Sequence, residues 1–124
     1  FCCSYFKSKM NAPEKHEIFG LKEGEQRVDY DEDNKVQNAG TYVVRLEDHT
    51  LGNLVRMQLL RDEKVIFAGY RVPHPLENKI EVRIQTDGRI TPHEAFSNAL
   101  KALSVETDSL ANQFEAKLAE KKRQ

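Results

Sequence analysis

The chain contains 124 residues, of which 39% are hydrophobic and 31% are charged, and its formal net charge at pH 7 is −1. This length fits one domain that buries roughly two thirds of the surface of its unfolded chain. The near balance of charge disfavours a general nucleic-acid binder, because neutralising phosphates requires a basic face. A membrane span is also excluded, since no apolar run approaches the roughly 20 residues that cross a bilayer.

The first nine residues differ from the rest of the chain. They contain both cysteines, Cys2 and Cys3, and they begin without methionine, whereas Met10 opens a sequence that looks like a natural start. Residues 10–124 have no cysteine, which suits a reducing compartment and offers no disulfide framework. We therefore expect residues 1–9 to be a non-native or upstream leader, and residues 10–124 to form a single domain.

Four segments have the alternation, or the β-branched and aromatic content, that is typical of β-strands. They are residues 28–30, 41–46, 65–70 and 80–85. The sequence also predicts a turn at residues 31–34, a bulge or bend at Gly69, and an extended connection at the Pro-His-Pro segment 73–75.

The first predicted helix begins near Asp48 or Thr50, either of which can cap it, and ends near Arg61. One apolar stripe along it comprises Leu51, Leu54, Val55 and Leu59, with Met57 at its flank. Leu60 lies well off that stripe, so the helix is apolar on more than one side. A helix that covers only a sheet needs a single apolar face, and a second neighbour is therefore expected.

The second predicted helix opens with Thr91 as its cap, Pro92 in the first position and Glu94 completing a capping box. No glycine or proline follows before about Lys121. Such a helix is ~45 Å long at 1.5 Å per residue, whereas a compact domain of this size has a radius of gyration near ~14 Å. The helix is longer than its own domain requires.

Apolar residues recur along this second helix at alternating spacings of four and three. The resulting seam is Phe96, Leu100, Leu103, Thr107, Leu110 and Phe114. A seam of this kind is similar to that of a coiled coil. Packing within the chain is the ordinary interpretation, but strands of ~17–20 Å would cover only about half of it. We therefore predict a helical oligomerisation surface.

No catalytic constellation, cofactor motif or metal site is predicted. The four histidines, including His49 and His74, lie far apart without metal-ligand spacing, and local hydrogen bonds are the better explanation for these two. Glycine-rich phosphate loops and nucleophile elbows are missing from the sequence.

Two motifs identify a resemblance to a known family. Residues 47–53 read EDHTLGN, and residues 67–77 read FAGYRVPHPLE. Together they resemble the small alpha-like subunits of RNA polymerases, a family that includes archaeal subunit L and the bacterial alpha N-terminal domain. The resemblance extends over residues 10–124. Leu76-Glu77 and Phe67-Ala68 favour the RNA polymerase II form over the counterpart that polymerases I and III share.

The resemblance implies an α+β fold, with a small, mainly antiparallel sheet and two helices packed on one face. It implies that the long C-terminal helix is shared with a partner in a helix bundle. The implied protein is a non-catalytic assembly subunit in the nucleus, an obligate heterodimer with the larger alpha-like (third) subunit. That pair is the platform for the large catalytic subunits in mRNA transcription, without sequence-specific nucleic-acid contacts, cofactor or membrane.

Carried over residue by residue, the resemblance implies a partner interface on both helices. The expected interface residues are Leu51, Gly52, Leu54, Val55, Leu59, Phe96, Leu100, Leu103, Leu110 and Phe114. Some of these must face the chain's own sheet. Because glycine inside a helix costs ~1 kcal/mol relative to alanine, Gly52 is interpreted as admitting the backbone of another chain. On that basis, Gly52→Leu should weaken the heterodimer more than it weakens folding of the chain.

Two alternatives of other classes stay open. A stand-alone nucleic-acid-binding α+β module could use Arg45, Arg71 and Arg83 as a basic stripe, and its binding would fall steeply with salt. A small enzyme could use His74 and Glu77, provided that they lie in a defined pocket. The assembly subunit predicts instead that the chain expressed alone self-associates, since obligate partners often lack a stable folded monomer.

Overall fold

The computed structural model of the protein describes residues 20, 21 and 24–123, so the leader predicted at residues 1–9 lies outside the described residues. In chain order the elements are β1 (Val28–Glu32), β2 (Ala39–Arg45), α1 (His49–Leu59), β3 (Val65–Arg71), β4 (Lys79–Thr86) and α2 (Pro92–Lys122). The four strands form one sheet in the order β1-β2-β4-β3, and every neighbouring pair is antiparallel. The predicted α+β class with a small antiparallel sheet is confirmed.

The core lies between the helices and one face of the sheet. Ile80, Val82 and Ile84 of β4 are all 0% exposed, as the alternation in residues 80–85 predicts. Across the β2–β4 ladder, Tyr42 is opposite Val82 and lies on the same buried face. The helices complete this core with Val55, Leu59, Ala95, Phe96 and Ala99. The central strands therefore position both helices.

Both helices begin where their capping residues predict. The carboxylate of Asp48 accepts a hydrogen bond from the Thr50 N–H at 2.8 Å, and the hydroxyl of Thr91 accepts one from the Glu94 N–H at 3.2 Å. These bonds satisfy N–H groups that have no partner within the first turn of a helix. No helix in the described part of the chain combines the length and the apolar character that crossing a membrane requires.

Each of the four strands differs from its predicted segment at one end or both, and two of these boundaries have a clear physical reason. β1 continues through Glu32, where a turn was expected at residues 31–34, because backbone pairing with Gly40 and Thr41 extends the ladder whatever the side-chain polarity. β2 ends at Arg45, and Leu46 adopts a positive φ of 62°. This left-handed backbone turns the chain out of the sheet.

The bulge expected at Gly69 is located elsewhere. The register of the β3–β4 ladder shifts between Val65 and Phe67, whereas Gly69 is paired regularly with Arg83. The ring of Phe67 covers Gly69, and a Cβ at that position would lie 3.0 Å from Cζ of the ring. The absence of a side chain at Gly69 therefore leaves space for the Phe67 ring, and the strand does not bend at this residue.

Candidate functional site

Among the residues that the structure describes, the sheet and α1 contact α2 along its first part only. The ring of Phe96 stacks on Tyr42 of β2 with the centroids 4.1 Å apart, and Glu106 forms an ion pair with Arg61, just past the end of α1, at 2.9 Å. Every residue from 104 to 123 is exposed. We call residues 104–122 the distal segment; at 1.5 Å per residue it is about 28 Å long.

Burial divides the ten expected interface residues into three groups. Four of them, Gly52, Val55, Leu59 and Phe96, are buried within this chain. Two others, Leu51 and Leu103, are partly buried and pack against the core. The exposed ones are Leu54, Leu100, Leu110 and Phe114. The four buried residues offer no free surface to a partner, so the partly buried and the exposed residues stay candidates for the interface.

Gly52 has a neighbour in its own chain. A Cβ at this position would lie 2.5 Å from Cδ2 of Tyr70, the ring that β3 presents to α1. Real Cβ atoms do not approach other atoms so closely, so a larger side chain must displace the ring. The interpretation that Gly52 admits another chain's backbone is therefore replaced by close packing of α1 on Tyr70.

The second apolar side of α1 is a row of three half-exposed residues. Leu54, Met57 and Leu60 follow each other at intervals of three and are 49%, 50% and 47% exposed. Residues three apart lie on one helix face, and this row points away from the buried residues Val55 and Leu59. The predicted second side of α1 thus exists as an uncovered apolar surface.

The distal segment continues the apolar row beyond the predicted seam. Leu110, Phe114 and Leu118 are 69%, 65% and 43% exposed and follow each other at intervals of four. Leu118 was missed because the seam was read with alternating spacings, which place Lys117 at the next position. A constant spacing of four after Leu110 would have identified it.

Two of the charges beside this row form ion pairs within the chain. Glu106 is paired with Arg61, and Lys117 is paired with Glu120 at 2.9 Å. The exposed part of α2 also carries acidic and basic residues of both signs, including Glu115 and Lys121, so neither sign dominates beside the apolar row. Association through such a surface depends on burying apolar area, and it is expected to respond weakly to salt.

Of the two histidines that were expected to make local hydrogen bonds, His74 does so, whereas His49 contacts Tyr70 on β3. Nδ1 of His49 lies 3.2 Å from the Tyr70 hydroxyl, and Nδ1 of His74 accepts a hydrogen bond from the Leu76 N–H at 3.1 Å. The carboxylate of Glu77 is paired with Lys79 at 2.5 Å. The described residues contain no group of side chains that could hold a metal ion.

The arginines of the supposed basic stripe are each paired with a carboxylate. The partners are Asp29 for Arg45 at 2.6 Å, Glu81 for Arg71 at 2.7 Å and Asp33 for Arg83 at 2.5 Å. The backbone N–H of Lys35 and, secondarily, the Arg83 guanidinium hold the pKa of Asp33 below its usual range. Each of the three arginines is thus matched by a carboxylate, so the supposed stripe offers no unpaired positive charge to a phosphate backbone.

Comparison with known proteins agrees with this geometry. Residues 39–113 match the family described as the RNA polymerase Rpb3/Rpb11 dimerisation domain. The chain is 47% identical to DNA-directed RNA polymerase II subunit rpb11 of Dictyostelium discoideum over 105 residues, which cover 85% of this chain and 88% of the relative. It is 40% identical to the RPB11 subunit of Schizosaccharomyces pombe over 105 residues, 85% of either chain.

A solved structure has the same fold. DNA-directed RNA polymerase subunit L from Thermoplasma acidophilum superposes with a TM-score of 0.60 at 23% identity, covering 74% of this chain and 90% of that chain. At this identity the likeness concerns the fold. The sequence matches identify the family: the chain belongs to the Rpb3/Rpb11 dimerisation-domain family of RNA polymerase subunits.

Proposed function

We propose that the chain is a non-catalytic assembly subunit of DNA-directed RNA polymerase II that acts in the nucleus. It pairs with the larger alpha-like (third) subunit, and the pair is the platform on which the large catalytic subunits assemble. The names of the relatives and the description of the matching family support this proposal. Both are consistent with a subunit that acts by binding other subunits.

One observation carries the proposal: none of the described residues covers the apolar row of the distal segment. Leu110 and Phe114 are each about two-thirds exposed, although large apolar side chains are costly to leave in water. A second exposed apolar row lies on α1, which packs on the sheet; it is formed by Leu54, Met57 and Leu60. A helix of the partner that covers both rows would bury them together, as helices in a bundle do.

The test is co-expression with the third subunit, followed by size-exclusion chromatography with light scattering at low and high salt. We expect a one-to-one complex that persists in high salt. Phe114→Asp should abolish it, because a carboxylate would be buried without a partner. Val105→Asp is the matched control: Val105 is 68% exposed but lies on the opposite side of α2, half a helical turn from the row.

Either of two results would contradict the proposal. The first is that the wild-type chain stays a soluble monomer and does not bind the third subunit. The second is a complex that Phe114→Asp and Val105→Asp weaken equally, because the row would then have no special role.

The alternative that polymerases I and III use this chain is less well supported. The curated relatives at 40–47% identity bear names of RNA polymerase II subunits. Parallel co-expression with the larger alpha-like subunit of polymerases I and III distinguishes the two assignments: we expect no stable complex with that subunit.

A further inference from the structure

The distal segment separates its charges along its length. Its first half, residues 104–113, contains two acidic residues, Glu106 and Asp108, and no basic one. Residues 117–122, at the other end, contain three basic residues and one acidic residue. The helix is therefore negative where it leaves the domain and positive at its C-terminal end.

One row on the surface of this segment contains an acid, three apolar residues and a base. The residues follow each other at constant intervals of four, and all are exposed: Glu106, Leu110, Phe114, Leu118 and Lys122. Intervals of four define one of the ridges through which helices pack against each other. In the reverse direction the row is complementary to itself, because acid meets base at both ends and apolar residues meet between them.

We propose that two copies of the unassembled chain pair through this row, with their α2 helices antiparallel and a two-fold axis beside Phe114. Glu106 of each copy then lies opposite Lys122 of the second copy. Leu110 lies opposite Leu118 of the second copy, and the two Phe114 rings meet at the axis. A two-fold interface requires a patch that is complementary to itself, and the row has that property. A parallel pair would instead place like charges opposite each other at both ends.

The spacing of the row also determines how the two helices cross. Helices that pack through ridges of this spacing have axes that cross at about 50°, so they diverge on either side of Phe114. Glu106 and Lys122 each lie eight residues from Phe114, about 12 Å along the helix. Only long side chains bridge the gap between the helices at that distance, and each end of the row has one. The apolar residues fill the close contact at the centre.

Glu106 is available for this contact although it has a partner in its own chain. Its ion pair with Arg61 joins two side chains that are 62% exposed for the arginine and 54% exposed for the glutamate. Exposed pairs of this kind contribute little to stability and exchange readily with other partners. Among the residues that the structure describes, none forms an ion pair with Lys122.

The antiparallel pair leaves part of the apolar surface of the domain uncovered. It ends near Glu106 and Arg61, so Leu54 and Met57, one to two turns back along α1, stay in water. A partner helix that covers the rows of both helices buries more apolar area and should displace the second copy. The self-pairing depends on the row alone, whereas its replacement by the third subunit rests on the proposed function.

The test is analytical ultracentrifugation of the full chain at low ionic strength, over about a hundredfold range of concentration. We expect the wild type to pass from monomer to dimer as the concentration rises, and Phe114→Asp to stay monomeric. Glu106→Lys and Lys122→Glu should each weaken the dimer about tenfold or more, because each places like charges opposite each other at both ends. Asp108→Lys and Lys101→Glu are the matched controls, since they make the same changes of net charge on the other side of α2. Circular dichroism verifies that every variant is folded.

The deciding measurement is an equal mixture of Glu106→Lys and Lys122→Glu. In a mixed antiparallel pair every acid again lies opposite a base, so the mixture should regain most of the affinity that each variant lacks alone. Adding the third subunit to the wild-type dimer should then convert it into the one-to-one complex.

Several outcomes would overturn this assignment. A wild-type chain that stays monomeric over the whole range would do so, as would larger aggregates that Phe114→Asp does not dissolve. Charge reversals without effect, or a mixture without recovery, would rule out the antiparallel register. Binding of the third subunit to an intact dimer would rule out the displacement. If the third subunit does not bind the wild type at all, the proposed function fails, and the mixture still decides the self-pairing independently.

Discussion

The hydroxyl of Tyr42 lies 2.9 Å from Nδ1 of His93, so strand β2 is joined directly to the first turn of α2. The same tyrosine ring stacks on Phe96 one turn later, with an interplanar angle of 11°. One buried side chain therefore makes a polar and an aromatic contact with the helix that carries the candidate interface. These two contacts fix the point at which α2 starts across the sheet.

We expect Tyr42→Phe to lower the free energy of unfolding by about 1 kcal/mol, the usual net value of one hydrogen bond in a folded protein. The stack on Phe96 is retained, so the loss should stay well below that of a truncation. Urea unfolding measures it. Tyr30→Phe is the control, because the half-exposed Tyr30 hydroxyl can exchange its contacts with water; an equal loss in both variants would contradict the role given to the His93 contact.

Alkaline pH should reduce the difference in the free energy of unfolding between the wild type and Tyr42→Phe. Burial raises the pKa of Tyr42 to about 12, from 10.0 for the free group. The folded state therefore favours the neutral phenol, and its contribution to stability is complete below pH 10 and is lost as the pH rises towards 12. Unfolding at several pH values from 8 to 11.5 should show the two stabilities converging and then changing order, because a rise in pKa from 10.0 to about 12 is worth more free energy than one hydrogen bond. A constant difference would argue against a buried, neutral Tyr42.

Gly52→Leu should destabilise the chain itself. The added side chain must displace the Tyr70 ring, and overpacking of this kind costs roughly 1–3 kcal/mol. The double variant Gly52→Leu/Tyr70→Ala should recover part of the loss when it is compared with Tyr70→Ala alone. Asn53→Ala is the neighbouring control on the exposed side of α1. The absence of recovery in the double variant would show that the clash is with another group.

Truncations along the helices should separate residues of the core from residues of the candidate interface. Leu59 is 1% exposed, and Leu59→Ala is expected to cost about 2–5 kcal/mol of folding stability. Leu118→Ala should change the stability of the chain by less than about 0.5 kcal/mol, as at other exposed positions. The same Leu118→Ala should still weaken the heterodimer. Thermal melting of the chain and a binding measurement on the complex together test this.

Local patterns predicted the elements of the fold well. The alternation in residues 80–85 and the caps at Asp48 and Thr91 are properties of neighbouring residues, and the structure has all three. The extension of β1 through Glu32 depends on backbone pairing with β2, which side-chain polarity does not report. A local sequence pattern therefore does not predict a strand boundary that depends on pairing with a distant strand.

The candidate site was predictable only as a set of helix faces. Periodicity gives the apolar side of α2, but the position where its own sheet stops supporting that side depends on how the helix crosses the strands. This is why Phe96 is buried and Phe114 is exposed although both belong to one seam. The neighbour of Gly52 could not be predicted either, because Tyr70 reaches this glycine from another element of the fold. Phe67 lies two residues before Gly69 on the same strand, so strand alternation would have identified that contact.

The one-sided support of α2 makes its distal segment a lever arm. The segment is held through contacts near the start of the helix and through the pair of Arg61 with Glu106. Over about 28 Å of unsupported helix, a tilt of roughly 10° at the anchored part moves the tip by about 5 Å, close to one helical turn. Small changes in packing beneath Phe96 would thus produce a large displacement of the C-terminal end of α2 relative to a partner bound there.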